Sequence, residues 1–213
     1  MKKTLLARIS FLVCSVAYSQ TFKEWQDPKI NEVNRAPMHT RYFAFANFQE
    51  ALEAVPEHSE NYMSIHGMWK FHWDKDAGTR LTGNFWKEDY DDSYWDEMPI
   101  PGMWELNGFG DPVYVNIGYA WSGHFNSRPP VVPEENNHVG TYRRSFEIPA
   151  GWNGKDVFLH IGSVTSNVYV WINGRYVGYS EDSKMEAEFD ISKYIRPGEK
   201  NLITFQVFQF CAS

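Results

Sequence analysis

The sequence predicts an all-β fold, an antiparallel β-sandwich. Three observations carry that prediction. Aromatic residues make up 17% of the 213 positions, with nine Trp among them, a composition suited to pleated, half-buried surfaces. Short apolar runs alternate with polar residues at a period of two. Gly, Pro and Asn punctuate those runs, and helix signals are scarce.

The strands follow in order. Trp69, Phe71 and Trp73 alternate with Lys70 and His72, the pattern of a half-buried strand starting near Ile65. Residues 142–148 form a second strand with Phe146 and Ile148 inward, and Val157, Leu159 and Ile161 a third. Residues 168–172 and 175–179 flank Asn173-Gly174. That dipeptide between two β-rich runs predicts a two-residue type I′ hairpin, because both central residues need positive φ. Pro197-Gly198 marks a turn, and residues 202–210 are the last strand. Ahead of the strands, residues 20–56 lack sustained periodicity and carry Asp27-Pro28, Ala36-Pro37 and Val55-Pro56. They read as an extended arm with at most a short helix around residues 47–54.

Residues 1–19 read as a secretory signal rather than as part of the fold. Lys2, Lys3 and Arg8 flank and enter an apolar run over residues 5–16, with small Ala17 and Ser19 after it. The run is too short for a transmembrane anchor; the alternative is a buried first helix or strand. The expected organisation is therefore a signal at 1–19, an arm at 20–56 and a sandwich domain at 57–213. Export to a periplasm or the cell exterior is expected, with no membrane association after cleavage. Cys14 falls within the signal, which leaves Cys211 without an intramolecular disulfide partner. Cys211 reads as a small apolar residue at a strand end.

Acidic residues outnumber basic ones, 27 to 20. No basic stripe interrupts that balance, which argues against nucleic acid as a partner. Hydrophobic content of 43% argues against disorder. Glu88, Asp89, Asp91, Asp92, Asp96 and Glu97 form one acidic group, but Trp86, Tyr90, Tyr94 and Trp95 interleave them. Paired carboxylates or calcium ligands are the chemical reading; a solvated loop pinned by aromatics is the preferred one. Glu181, Asp182, Glu186, Glu188 and Asp190 form a second group. The seven histidines lack zinc-type partners, and no Gly-x-Ser-x-Gly elbow is present. Gly108-Phe109-Gly110 leads into Asp-Pro rather than a helix, which is not a phosphate loop. No catalytic residue and no metal ligand is assigned.

The most informative stretch is Pro101-Gly102-Met103-Trp104-Glu105-Leu106-Asn107-Gly108-Phe109-Gly110-Asp111-Pro112-Val113-Tyr114-Val115-Asn116. A flat aromatic, carboxylates, glycines and a terminal amide suit a sugar, which offers apolar C–H faces and hydroxyls that donate and accept. The alternative is a turn-rich loop closing one end of a sheet, with Asn116 as a turn cap.

Several blocks in one order narrow this reading. They are Asn34-Arg35-x-Pro37-x-His39, Gly67-x-Trp69-x-Phe71, the Trp104-to-Asn116 stretch, Pro129-Pro130-x-Val132-Pro133-x-Glu135-Asn136, and Gly140-x-Tyr142. The run from Trp171-x-Asn173-Gly174-Arg175 to Ser180-x-Asp182-Ser183 and then Glu188-Phe189-Asp190 completes them. Together they resemble the amino-terminal region of the large β-galactosidases of glycoside hydrolase family 2, over nearly all of the chain after the signal.

The resemblance implies a jelly-roll sugar-binding domain, with Asn116 hydrogen-bonding galactose hydroxyls and Ile117 as its apolar neighbour in the same pocket. It implies retaining hydrolysis of β-galactosides through two glutamates in a separate (β/α)8 barrel. This chain would then be incomplete at its C-terminus, inactive alone, and one wall of a pocket whose opposing carboxylate lies elsewhere. The family's magnesium and sodium imply no cofactor held within this chain. The implied partners are a galactose-containing saccharide and the barrel and other domains of a full-length enzyme, with homo-oligomers only when complete. Two alternatives stay open: a free-standing carbohydrate-binding module, and a fragment that complements a barrel-containing partner.

Overall fold

The computed structural model describes residues 22–112 and 130–212. Within them lie strands β1 (Glu32–Val33), β2 (Gly67–Asp74), β3 (Asp96–Ile100), β4 (Val139–Glu147) and β5 (Phe158–Ile161). They continue with β6 (Asn167–Ile172), β7 (Arg175–Glu181), β8 (Ala187–Asp190) and β9 (Lys200–Phe208). Helix α1 (Phe48–Glu53) precedes β2. Seven strands form one antiparallel sheet in the order β1-β7-β6-β9-β4-β2-β3, and β5 pairs with β8 in a two-stranded ribbon. The fold is the all-β sandwich that the sequence predicts, and its two layers are unequal.

The centre of the large sheet is β9, paired with β4 from Val139↔Phe208 to Glu147↔Lys200 and with β6 from Asn167↔Phe208 to Ile172↔Ile203. On one face Val168, Val170, Ile172, Ile203, Phe205, Trp69 and Phe71 pack against Leu159, Ala187 and Phe189 of the ribbon. On the other face Tyr169, Trp171, Tyr179 and Phe208 pack against Trp25, Phe85 and Trp95. Both faces are therefore covered, which is why β6 is buried at every position rather than at alternate ones. Lys70 and His72 of β2, placed toward solvent by the alternation, are half-buried, and the His72 ring lies 5.6 Å from that of Trp95.

The β6–β7 connection is the hairpin read from Asn173-Gly174, with φ of 50° and 76° at the two residues. The Asn173 side chain also ties three segments. Its Nδ2 donates to the carbonyl of Tyr194 and to Oδ1 of Asn201, while its Oδ1 accepts from the amide of Leu202 and from Arg196.

The arm is partly woven into the fold. Trp25 is fully buried, stacked on Phe208 with ring centroids 4.6 Å apart. β1 adds to the edge of β7, and there a side chain at Gly178 would meet the carbonyl of Val33 at 2.3 Å and the Phe189 ring at 2.7 Å. Asn47 caps α1, accepting from the amide of Glu50 at 3.0 Å, and Ala54 closes it with φ of 53°. No residue of α1 is buried. The outer strands of the large sheet are two residues long (β1) or carry a proline (Pro99 in β3), two devices that blunt a sheet edge.

Candidate functional site

The loop that carries the sugar-like chemistry leaves the end of β3. Its first part, residues 101–112, is described; Asn116 and Ile117 lie outside the described residues. What the structure gives is the seat on which that loop rests.

Trp104 anchors it. The indole lies over Phe71 and Gly140, and its Nε1–H donates to the hydroxyl of Tyr142. A tight turn over Glu105–Asn107 follows, in which the amides of Asn107 and Phe109 both donate to the Trp104 carbonyl, at 2.9 and 3.0 Å. Asn107 Nδ2 donates to the Met103 carbonyl at 2.8 Å. The turn swings Phe109 back onto Phe71, edge to face with ring centroids 4.7 Å apart. Gly110, at φ of 74°, then passes close over the imidazole of His138. That ring in turn meets Trp73 edge-on at 4.9 Å. Apolar contact on one side of the loop leaves Glu105 and Asp111 as the carboxylates of its described part.

The electrostatics under the loop favour neutral groups. Burial pushes the Tyr142 phenol well above its ordinary value, so it stays protonated and accepts from Trp104. Burial lowers the pKa of His138 more than the nearby carboxylates of Glu105, Asp76 and Asp111 raise it, so this imidazole is uncharged at neutral pH. An uncharged, aromatic seat holds the loop by packing rather than by ion pairs.

The two acidic groups serve as braces in the structure. Asp92 accepts from the buried Arg143 at 2.6 Å, and Glu88 pairs with Arg196 at 2.7 Å. Arg143 also donates to the carbonyls of Phe85 and Lys87 and lies over the rings of Tyr90 and Trp95. In the second group, Glu181 is buried and accepts from Tyr179 at 2.6 Å, while Asp182 pairs with Arg35 at 3.0 Å. Among the described residues no group of three or more His, Cys, Asp or Glu side chains is placed to hold a metal ion.

Motif blocks far apart in the sequence meet at two places, the β1–β7 edge of the sheet and the seat of the loop. Asn34 Nδ2 donates to the Val177 carbonyl at 2.8 Å, and Arg35 reaches Ser180 Oγ at 3.0 Å. Gly140 and Tyr142 meet Trp104 directly. His138 and Trp73 are the seat residues that sequence reading missed. Trp73 read as one more inward aromatic, and a lone histidine before a strand carries no pattern.

Residues 62–213 match the family of glycosyl hydrolases family 2, sugar binding domain. A beta-galactosidase of Halalkalibacterium halodurans is 38% identical over 184 residues, which is 86% of this chain and 18% of that protein. One from Priestia megaterium is 36% identical over 190 residues, 89% of this chain and again 18% of the relative. A solved glycosyl hydrolase family 2 member from Bacteroides cellulosilyticus superposes with a TM-score of 0.49 at 24% identity, covering 69% of this chain and 17% of that one. The chain thus spans less than a fifth of the length of these relatives. The match over residues 62–213 and the two relatives above 30% identity lead to one conclusion: this chain belongs to the sugar-binding domain family of glycosyl hydrolases family 2.

Proposed function

We propose that this chain is the sugar-binding part of a β-galactosidase, supplying one wall of the pocket for a terminal β-galactose residue. The observation that carries the reading is identity of 38% and 36% to two beta-galactosidases over 86% and 89% of the chain. The neutral aromatic seat of Trp104, Phe109 and Tyr142 supports it, because it braces the loop that runs on to Asn116 and Ile117. Asn116 hydrogen-bonds sugar hydroxyls, and Ile117 lines the same pocket. The fold is read as a jelly roll, and residues 1–19 as an export signal.

Bond cleavage belongs to a barrel and other domains of a full-length enzyme, and residues 1–213 by themselves turn over no galactoside. It holds no cofactor of its own in this reading.

Isothermal titration of the chain with galactose, wild type against Asn116→Ala, tests the proposal. Weak binding that disappears in the variant supports the wall. Equal binding by both proteins sinks the role of Asn116. Turnover of a chromogenic galactoside by the pure chain overturns the division of labour.

A further inference from the structure

His39 sits between two acceptors. Its Nδ1 lies 2.9 Å from the carbonyl oxygen of Thr40, and its Nε2 lies 2.9 Å from Oε2 of Glu188 on β8. A carbonyl and a carboxylate oxygen only accept, so both ring nitrogens must carry hydrogen for both contacts to be hydrogen bonds. Neutral imidazole has a single N–H. The geometry is that of an imidazolium.

The surroundings are charged on every side. The other oxygen of Glu188 lies 3.0 Å from Nδ1 of His160 on β5. His160 Nε2 is 3.9 Å from Oε1 of Glu186, which also faces Arg41 Nε at 3.8 Å. Lys184 lines the same cleft of about 190 Å³, and the Tyr42 ring lies 5.1 Å from the His39 ring.

The position of this contact along the arm matters. Up to Ala36 the arm has other ties: Arg35 on Ser180 and Asp182, and the Ala36 amide on the Glu188 carbonyl at 2.8 Å. Over residues 38–58, the described polar links from arm to sheets are His39 to Glu188 and the longer Arg41 to Glu186. That stretch exposes Met38, Tyr42, Phe48 and Leu52, each more than half accessible.

We propose that His39 is a proton-operated latch that holds the arm most firmly on the β5–β8 ribbon as an imidazolium and loosens residues 38–46 when it loses a proton. In the neutral ring one nitrogen lone pair faces an oxygen lone pair, and one of the two bonds is lost. The Thr40 carbonyl and then Glu188 raise the His39 pKa above 6.5. The contribution is therefore complete below 6.5 and is lost as the pH rises through the raised value. The latch is independent of the sugar reading, since it involves neither Asn116 nor its loop.

Side-chain NMR of nitrogen-labelled histidine in the full chain, from about pH 5 to about pH 9, tests it together with backbone amide relaxation. The expected result is a His39 midpoint above 6.5 with both nitrogens protonated below it. The amide nitrogen heteronuclear NOE across residues 38–46 should fall through the same midpoint, as the arm gains mobility. In His39→Gln, which keeps one donor and does not titrate, that step should vanish. A His39 midpoint at or below 6.5 overturns the latch, and the wild-type titration needs no variant to fold. Amide mobility that stays constant through the midpoint, or a step that survives in His39→Gln, overturns it equally.

Discussion

The indole of Trp104 occupies the space that a side chain at Gly140 would take: a Cβ there would lie 2.6 Å from Trp104 Cζ2 and 2.8 Å from Phe71 Cε2. The loop after β3 is seated because one residue of β4 has no side chain. Gly140→Ala should therefore push Trp104 off Tyr142 and destabilise the fold by about 2 kcal/mol, the scale of an overpacked core. Thermal unfolding and tryptophan near-UV circular dichroism together check it. An unchanged melting temperature with an unchanged Trp signal would contradict the seating.

Arg143 offers a test of the opposite face of the sheet. It is 3% exposed, pairs with Asp92, donates to the carbonyls of Phe85 and Lys87, and lies over Tyr90 and Trp95. A lysine keeps the charge but lacks the planar fork that serves three acceptors and two rings. Arg143→Lys should cost about 3 kcal/mol in urea denaturation, close to the loss of a buried pair. A cost near that of an exposed ion pair would show that the charge alone matters.

Asn173 bears on how far local sequence reaches. Its φ of 50° serves the hairpin, yet its side chain also bonds Tyr194, Asn201, Leu202 and Arg196. Asn173→Gly keeps the turn conformation and deletes the hub. If the hub matters, Asn173→Gly loses about 2 kcal/mol, from a Leu202 amide and a Tyr194 carbonyl left without this partner. A loss of a few tenths would mean that turn geometry is the whole role.

That contrast measures what the sequence discloses. The hairpin was legible because Asn173-Gly174 is a contiguous signal with one backbone solution. The short helix around residues 47–54 was admitted only as a possibility within the arm, and the Asn47 cap that holds its start is seen in the structure. The double-sided burial of the sheet was not. It depends on Trp25 stacking against Phe208 and on Phe85 reaching Trp171, contacts between segments far apart in the chain. Period-two alternation in β2 reports one buried face and is silent on what later covers the other. At the candidate site, Trp104 and Gly140 were visible as members of motif blocks, but their contact was not. His138 carried no signal. Asn116 and Ile117 rest on the resemblance, because a lone amide after a turn reads equally as a cap.

Glu188 sets the acid side of the arm contact. Burial pushes its carboxyl upward, but the hydrogen bonds from His39 and His160 outweigh that and hold it below 4.5. A folded-state value below the unfolded one gives stability that is present above the unfolded value and is lost as pH falls through the folded one. Glu188→Gln mimics the protonated acid, so the two proteins should differ most near pH 6 and converge in acid. The gap near pH 6 should be about 0.5–1 kcal/mol, because both imidazoles are partly exposed and solvent screens the pair. Thermal unfolding of wild type and variant in parallel, at half-unit steps from about pH 3 to about pH 6, reads this directly. Convergence as the pH falls below 4.5 ties the stability to this carboxylate; a constant gap across the range would assign the loss to packing around the glutamine instead.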